Sequence, residues 1–227
     1  VVAVLENPEL RIEGGVCIGA KGPVTSVFLV SETPIEEWSH VLLDDVSRTS
    51  AILSHILLDG PLAERVKHDL VREVVPSMEA MKRAKGTTAA LVIGDVARQL
   101  PERFKTRIDL AEVWTEWTGL PFVFAVWAGH TDVDRKTLRH LRDASERGLA
   151  ERETIYGEED QSYLTQHIRY AFDEQALVGL RRFAALARRS GWVSSDLIQF
   201  YAPEKRIRRE RGDAQQWLAA FRETPDC

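Results

Sequence analysis

Cysteine is almost missing from this chain: Cys17 and Cys227 are the only two, far apart, and one is the last residue. That spacing offers no disulfide framework, and without a CxxC pair or a Cys/His cluster it offers no structural zinc site. A reducing cytoplasm is the expected setting. The six histidines, at 40, 55, 68, 130, 140 and 167, form no HxH or HExxH arrangement, so no metal site is expected. No apolar run reaches the roughly 18 residues of a membrane-spanning helix. The opening VVAVLENPELRIEGG has no basic stretch ahead of its short apolar run, which argues against a secretory signal. An excess of positive charge is lacking too. Thirty Lys+Arg stand against 35 Asp+Glu, a net charge of −5, the opposite of the basic footprint of a general nucleic-acid binder.

What is present is a core's worth of apolar residues, 44% of 227, enough for one large domain or two small ones. Strand and helix signals alternate along it. GVCIGAKGPVTSVFLVS reads as β structure broken at Gly22-Pro23, and TPIEEWS as a short helical turn started by Thr33 and Pro34. HVLLDD is a buried-type strand, and SAILSHILL and PLAERVKHDLVREV read as helices separated at Asp59-Gly60. TTAALVIGD is a second strand ending in Gly94-Asp95, followed by the helix VARQLPERF that Pro101 interrupts. DLAEVWTEWTGLPFVFAVWAG gives a helix, a turn at Gly119 and a strand. From Asp132 the spacing predicts helices over DRKTLRHLRDASERGLAERE, EDQSYLTQHIRYAF and DEQALVGLRRFAALARRSGWV, the last stopped at Gly191. The tail EKRIRRERGDAQQWLAAFRETPDC predicts a loosely packed helix with a solvated charged face. Strands alternating with helices predict a parallel α/β sheet.

One stretch asks for more than a helix start. HVLLDDVSRTSAILSHILLDG, residues 40–60, sets Ser47, Arg48, Thr49 and Ser50 together where a helix begins. A single hydroxyl suffices for a cap. Several hydroxyls and a guanidinium beside free N–H groups suit an anion. HVLLDD→SRTS and ALVIGD→VARQ are both strand ends leading into helices, where open α/β sheets bind ligands. Ser47–Ser50 and Gly94-Asp95 are therefore expected to face one crevice. Arg48 pairs either with a ligand carboxylate or with neighbouring acids such as Asp44 and Asp45. Asp95 either orients a ligand or caps the next helix. His55 is expected to be a packed histidine, and Trp114, Trp117 and Trp127 to be core packing.

In this order and spacing, GPVTSVFLVS, SRTSAILSHILL, ALVIGDVA and TGLPFVFAVWA resemble the menaquinone-biosynthesis chorismate dehydratase family of the futalosine pathway. YLTQHIRYAFDEQALVGLRRFAALARRSGWV is similar to that family's C-terminal helices, and the resemblance spans roughly residues 15 to 200. It implies an α/β, two-lobed, periplasmic-binding-protein-like (type II) fold with a ligand cleft between the lobes. Crossovers would fall near Ser31–Pro34 and Ile108–Pro121, making 34–112 one lobe and 1–33 with 113–227 the other. The family carries further strands and helices ahead of GPVTSV, and this chain has no initiating Met. An N-terminal segment is therefore expected to be lacking here.

The implied activity is that of a carbon–oxygen lyase (hydro-lyase): chorismate loses water to give 3-[(1-carboxyvinyl)oxy]benzoate in menaquinone biosynthesis, in the cytoplasm, with no cofactor and no metal. A dicarboxylate needs donors at two anionic ends. Ser47, Arg48, Thr49 and Ser50 suit one of them. Gly94 offers backbone donors, Asp95 an orienting carboxylate, and Ser26 a further donor. The product is aromatic, so positioning, worth at most roughly 7–11 kcal/mol, carries much of the catalysis. No catalytic base is assigned to the chain, and the substrate's enolpyruvyl carboxylate is the expected base. The expected partner is that small dicarboxylate, with no nucleic acid and no membrane; a homodimer is compatible with this. Two alternatives differ in class: a non-catalytic solute-binding protein for a small carboxylate, and the sister enzyme 1,4-dihydroxy-6-naphthoate synthase, which would use a histidine base. No histidine follows a strand end beside SRTS, which favours the dehydratase.

Overall fold

Period-two alternation along buried strands divides the interior into layers. The computed structural model describes residues 1–155 and 161–201. After a short helix α1 (Val2–Glu6) and a long strand β1 (Leu10–Ala20) come β2 (Val27–Ser31), β3 (His40–Asp44), β4 (Val71–Val75), β5 (Thr88–Ile93) and β6 (Thr106–Asp109). The last five form one sheet in the order β4-β3-β5-β2-β6. Leu29, Leu43, Ala89 and Leu91 belong to one core cluster and Val30, Leu42, Ala90 and Val92 to another, as alternate positions must. The first cluster is completed by Leu53 and Leu57 of α2 (Arg48–Asp59) and Trp114 of α5 (Leu110–Thr118). The second is completed by Ala80 of α3 (Ser77–Arg83), Ala97 of α4 (Asp95–Arg98) and Phe104.

The sheet is mixed, not parallel. β3 runs parallel to β4 and β5, while β2 is antiparallel to β5 and β6. The chain enters β2 at the edge where β3 and β5 end, so β2 can only run against them.

A smaller antiparallel sheet, order β7-β1-β8, is built from β1, β7 (Phe122–His130) and β8 (Arg169–Phe172). α6 (Arg135–Ile155) follows β7, and α7 (Glu174–Arg189) follows β8. Phe122 and Phe183 join the large core, whereas Ile12, Cys17 and Val123 pack with Ala176 and Leu180 of α7 in a cluster of their own. Local chemistry sets the helix ends. Asp109 caps α5 by accepting from Ala111 and Glu112 N–H, and Gly119 ends it at φ 71°.

Two segments expected as helices are not. Within 61–74 the structure has a 3-10 turn, Ala63–Arg65, and then β4; Val71, Val74 and Val75 suit an extended edge strand that satisfies the open side of β3. Within 159–172 a π-helical turn, Tyr163–His167, leads into β8. Gly15 and Val16 of β1 pair there with Phe172 and Ala171, and that pairing overrides the helical spacing. The expected helix in the charged tail lies outside the described residues. Among the described residues no helix is long and apolar enough to cross a membrane.

Candidate functional site

Four chain segments meet at one edge of the larger sheet. β3 ends at Asp44 and β5 at Ile93, and these parallel neighbours carry their ends to the same side. Ser26 lies just ahead of antiparallel β2, where its carbonyl accepts from Gly94 N–H at 2.8 Å. β6 arrives there too, with Asp109 opposite Phe28.

The first segment is built around a buried carboxylate. Asp44, 2% exposed, accepts from Val46 N–H at 2.7 Å, Ser47 N–H at 3.0 Å and the Ser77 hydroxyl at 2.5 Å. This fixes the turn that starts α2. Ser47 takes the N-cap position without capping: its hydroxyl donates to Ser50 Oγ at 2.8 Å, and no side chain caps the helix. The first-turn N–H groups of α2 are thus left for another acceptor. Ser50 is buried, and its carbonyl accepts from the Ser54 hydroxyl. Thr49 is also buried, with Oγ1 3.5 Å from Val2 N on α1. Arg48 turns to α1 as well, ion-paired with Glu6 at 2.5 Å and more than half exposed. The partner foreseen in Asp44 or Asp45 is instead Glu6. The positive end of this turn is its backbone, not its guanidinium.

The second segment is the Gly94 turn. Gly94 takes φ 69°, ψ −148°, a conformation open essentially to glycine alone. Asp95 follows within α4, so it does not occupy the cap position; its side chain is 94% exposed and lies 3.8 Å from Arg98. Ser26 is buried, and its Oγ accepts from the Tyr163 hydroxyl at 2.9 Å. Over the Tyr163 ring lies the Arg98 guanidinium, 4.5 Å from the centroid. Next to Ser26, Thr25 is held at φ 59° by an N–H bond to Asp109 Oδ2 at 2.7 Å. Burial pushes the Asp109 carboxyl up, against the opposing pull of backbone N–H groups from Thr25, Glu112, Val24 and Ala111. Sequence reasoning singles out none of Tyr163, Arg98, Thr25 or Asp109. Only Asp109 carried a local signal, an acid at the N-cap ahead of LAEVW.

The structure thus joins Ser47 to Ser50 and Ser26 to Gly94, both at this edge of the larger sheet. Trp114 is buried, but Trp117 is 38% and Trp127 50% exposed, so only the first is core packing throughout. Among the described residues no cluster of three or more His, Cys, Asp or Glu could hold a metal ion. His167 lies by the Ser26 loop, with Nδ1 3.2 Å from the Pro23 carbonyl.

His55 is packed as expected, stacked on Trp192 at 3.8 Å with Arg72 3.2 Å from Nδ1. Burial, and then the Arg72 charge, lower its pKa from 6.5 to about 4. The folded protein therefore resists protonating His55 while the unfolded chain does not. Its contribution is whole above pH 6.5 and fades as pH falls toward 4. The full shift would correspond to about 3 kcal/mol, and water beside half-exposed Trp192 reduces the expected loss to about 2 kcal/mol. Urea unfolding of wild type and His55→Phe checks this. The stability gap between them is expected to narrow by that amount from about pH 7.5 to 4.5; a constant gap would show that the imidazole is not coupled to folding.

A family model described as Menaquinone biosynthesis matches residues 2–189. The chain is 30% identical over 190 residues to the chorismate dehydratase of Thermus thermophilus, covering 74% of this chain and 69% of that protein. A crystal structure of a protein from Archaeoglobus fulgidus aligns with a TM-score of 0.58 at 14% identity, over 82% of this chain and 74% of that one, a likeness of fold alone.

Proposed function

This chain belongs to the menaquinone-biosynthesis family, and we propose that within it the protein is a chorismate dehydratase. The observation that carries this reading is the meeting of an uncapped α2 N-terminus, lined by Ser47 and Ser50, with the Ser26–Gly94 pair on one sheet edge. A dicarboxylate has an anion for each. In this reading the α2 N–H groups with the Thr49 and Ser50 hydroxyls take one carboxylate, and Ser47, foreseen as a direct donor, supports Ser50 by donating to it. The Ser26 hydroxyl donates to the other end, the Gly94 N–H foreseen as a donor being taken by the Ser26 carbonyl, and exposed Asp95 orients the leaving hydroxyl. Arg48 contributes to the local field while bound to Glu6, and binds substrate directly only by leaving it. The enolpyruvyl carboxylate takes the ring proton beside the hydroxyl, the C–H electron pair forms the new ring double bond, and the bond from the ring to the hydroxyl breaks; the hydroxyl leaves as water with that proton, which restores the carboxylate. Aromaticity drives this step, so the chain's task is to hold both groups in geometry, with the substrate's enolpyruvyl carboxylate as base.

The same reading gives the protein two lobes joined by crossovers, 1–33 with 113–227 and 34–112. The two separate sheets support it, although β2, which lies within 1–33, is hydrogen-bonded into the sheet of 34–112, which moves the passage between the sheets back to strained Thr25. His167 beside Pro23 supports a second reading, the sister naphthoate synthase with a histidine base.

Incubation of the purified protein with chorismate, without metal or cofactor, tests the choice by HPLC against an enzyme-free control. The expected product is the carboxyvinyloxy-benzoate, at a rate indifferent to His167→Gln. Binding without turnover would instead mean a solute-binding protein. Thr49→Ala and Ser50→Ala are each expected to raise KM and lower kcat, with a combined loss of about 10- to 100-fold, the worth of a hydrogen bond to a charged group. Unaltered kinetics in both would sink the anion site.

A further inference from the structure

The bond from Tyr163 to Ser26 ties the two sheets together at the proposed site. Tyr163 stands in the turn leading to β8 of the smaller sheet, and Ser26 opens β2 of the larger one. A closed circuit fixes the pair. Gly94 N–H donates to the Ser26 carbonyl, α4 follows directly from Gly94, and Arg98 on α4 lies over the Tyr163 ring. The Tyr163 hydroxyl then donates back to Ser26 Oγ at 2.9 Å. Each member of the circuit limits the freedom of the next.

This geometry has a chemical consequence for Ser26. A serine hydroxyl can donate once and accept twice. With Tyr163 donating to it, Ser26 has a lone pair filled and keeps its own proton to present. Ser26 is buried, so bulk water does not replace a lost donor. We propose that Tyr163 is a positioning residue that fills one lone pair of Ser26 and holds its proton out as a donor to a carboxylate oxygen of the substrate. Tyr163 acts through Ser26 and touches no reacting atom. This favours an anionic acceptor at that end of the site: a carboxylate oxygen accepts a charge-assisted bond from Ser26, whereas an alcohol or primary amide in its place accepts only through a neutral oxygen and binds more weakly.

The inference rests on the dehydratase reading, and a double-mutant cycle with chorismate tests it. Tyr163→Phe keeps the ring under Arg98, so its thermal midpoint is expected to stay near that of wild type. Its KM is expected to rise about 10-fold, the size of one lost hydrogen bond. Ser26→Ala is expected to lose at least as much, and the double variant no more than Ser26→Ala alone. A merely structural role for Tyr163 would lower the active fraction, which reduces kcat and leaves KM alone. Multiplying losses in the double variant, or an unchanged KM in Tyr163→Phe, overturns the inference while leaving the dehydratase intact. A wild type that makes no product overturns the dehydratase reading, and this inference with it.

Discussion

Gly179→Ala is expected to destabilise the protein by about 3 kcal/mol or more, the upper end of overpacking effects. A Cβ at Gly179 would lie 2.0 Å from the Pro121 carbonyl oxygen and 3.2 Å from its carbon. Both are backbone atoms at the entry to β7, and neither can swing aside as a side-chain tip can. Alanine is otherwise the better helix former by about 1 kcal/mol, so glycine in the middle of α7 marks where the helix rests on the chain. Moving α7 outward would open the packing of Phe183, Ala184 and Ala187 in the large core. Moving Pro121 instead would pull its carbonyl from Trp114 Nε1, which donates to it at 3.3 Å from a buried ring. Either relaxation exposes a cavity or orphans a donor. Gly148→Ala is the control. No atom lies within 4 Å of its added Cβ, and it sits in α6, so it is expected to be neutral or to gain up to about 1 kcal/mol. Urea unfolding of both variants measures the contrast; equal midpoints would show that α7 does not rest on Pro121.

How much of this was legible beforehand depends on where the deciding forces act. HVLLD and TAALVI announced themselves because a strand buried on both faces is a short apolar run, and α5 because Asp109 and Gly119 mark its ends locally. β4 and β8 were hidden. Each has helix-compatible spacing and becomes a strand only because β3 and β1 present open edges to it. The direction of β2 was hidden for a related reason, since it follows from where the chain crosses between sheets.

The candidate site divides the same way. The hydroxyls of Ser47 and Ser50 and the Gly94 turn could be read because each follows a strand end within a few residues. The roles of Arg48 and Tyr163 could not. Arg48 meets Glu6 and Tyr163 meets Ser26 only through the tertiary fold, and no local pattern encodes either pair. The sequence could raise the question of why four polar residues open α2, but not that Ser47 would decline the cap.

That question is answered by Asp44, whose removal is expected to have the largest effect on the site. Asp44→Ala takes away the acceptor of Val46 N–H, Ser47 N–H and the Ser77 hydroxyl together. The carboxylate holds the two N–H groups just ahead of α2, leaves those of its first turn free, and lets the Ser47 hydroxyl meet Ser50. Without it these partly exposed donors lose their shared acceptor, an expected loss of about 2 kcal/mol in stability. Ser47 would then swing back to cap α2, its usual role, and occupy the N–H groups proposed for the substrate. The expected result is at least about a 100-fold fall in kcat/KM for chorismate, beyond what the unfolded fraction explains. Asp44→Asn separates shape from charge. Its amide oxygen can still accept from both N–H groups, and its nitrogen can donate to Ser77, so it is expected to keep stability within about 1 kcal/mol and most of the activity. If Asn fails as badly as Ala, the negative charge itself matters at this helix start. If Ala turns over chorismate like wild type, the turn is not what holds the substrate.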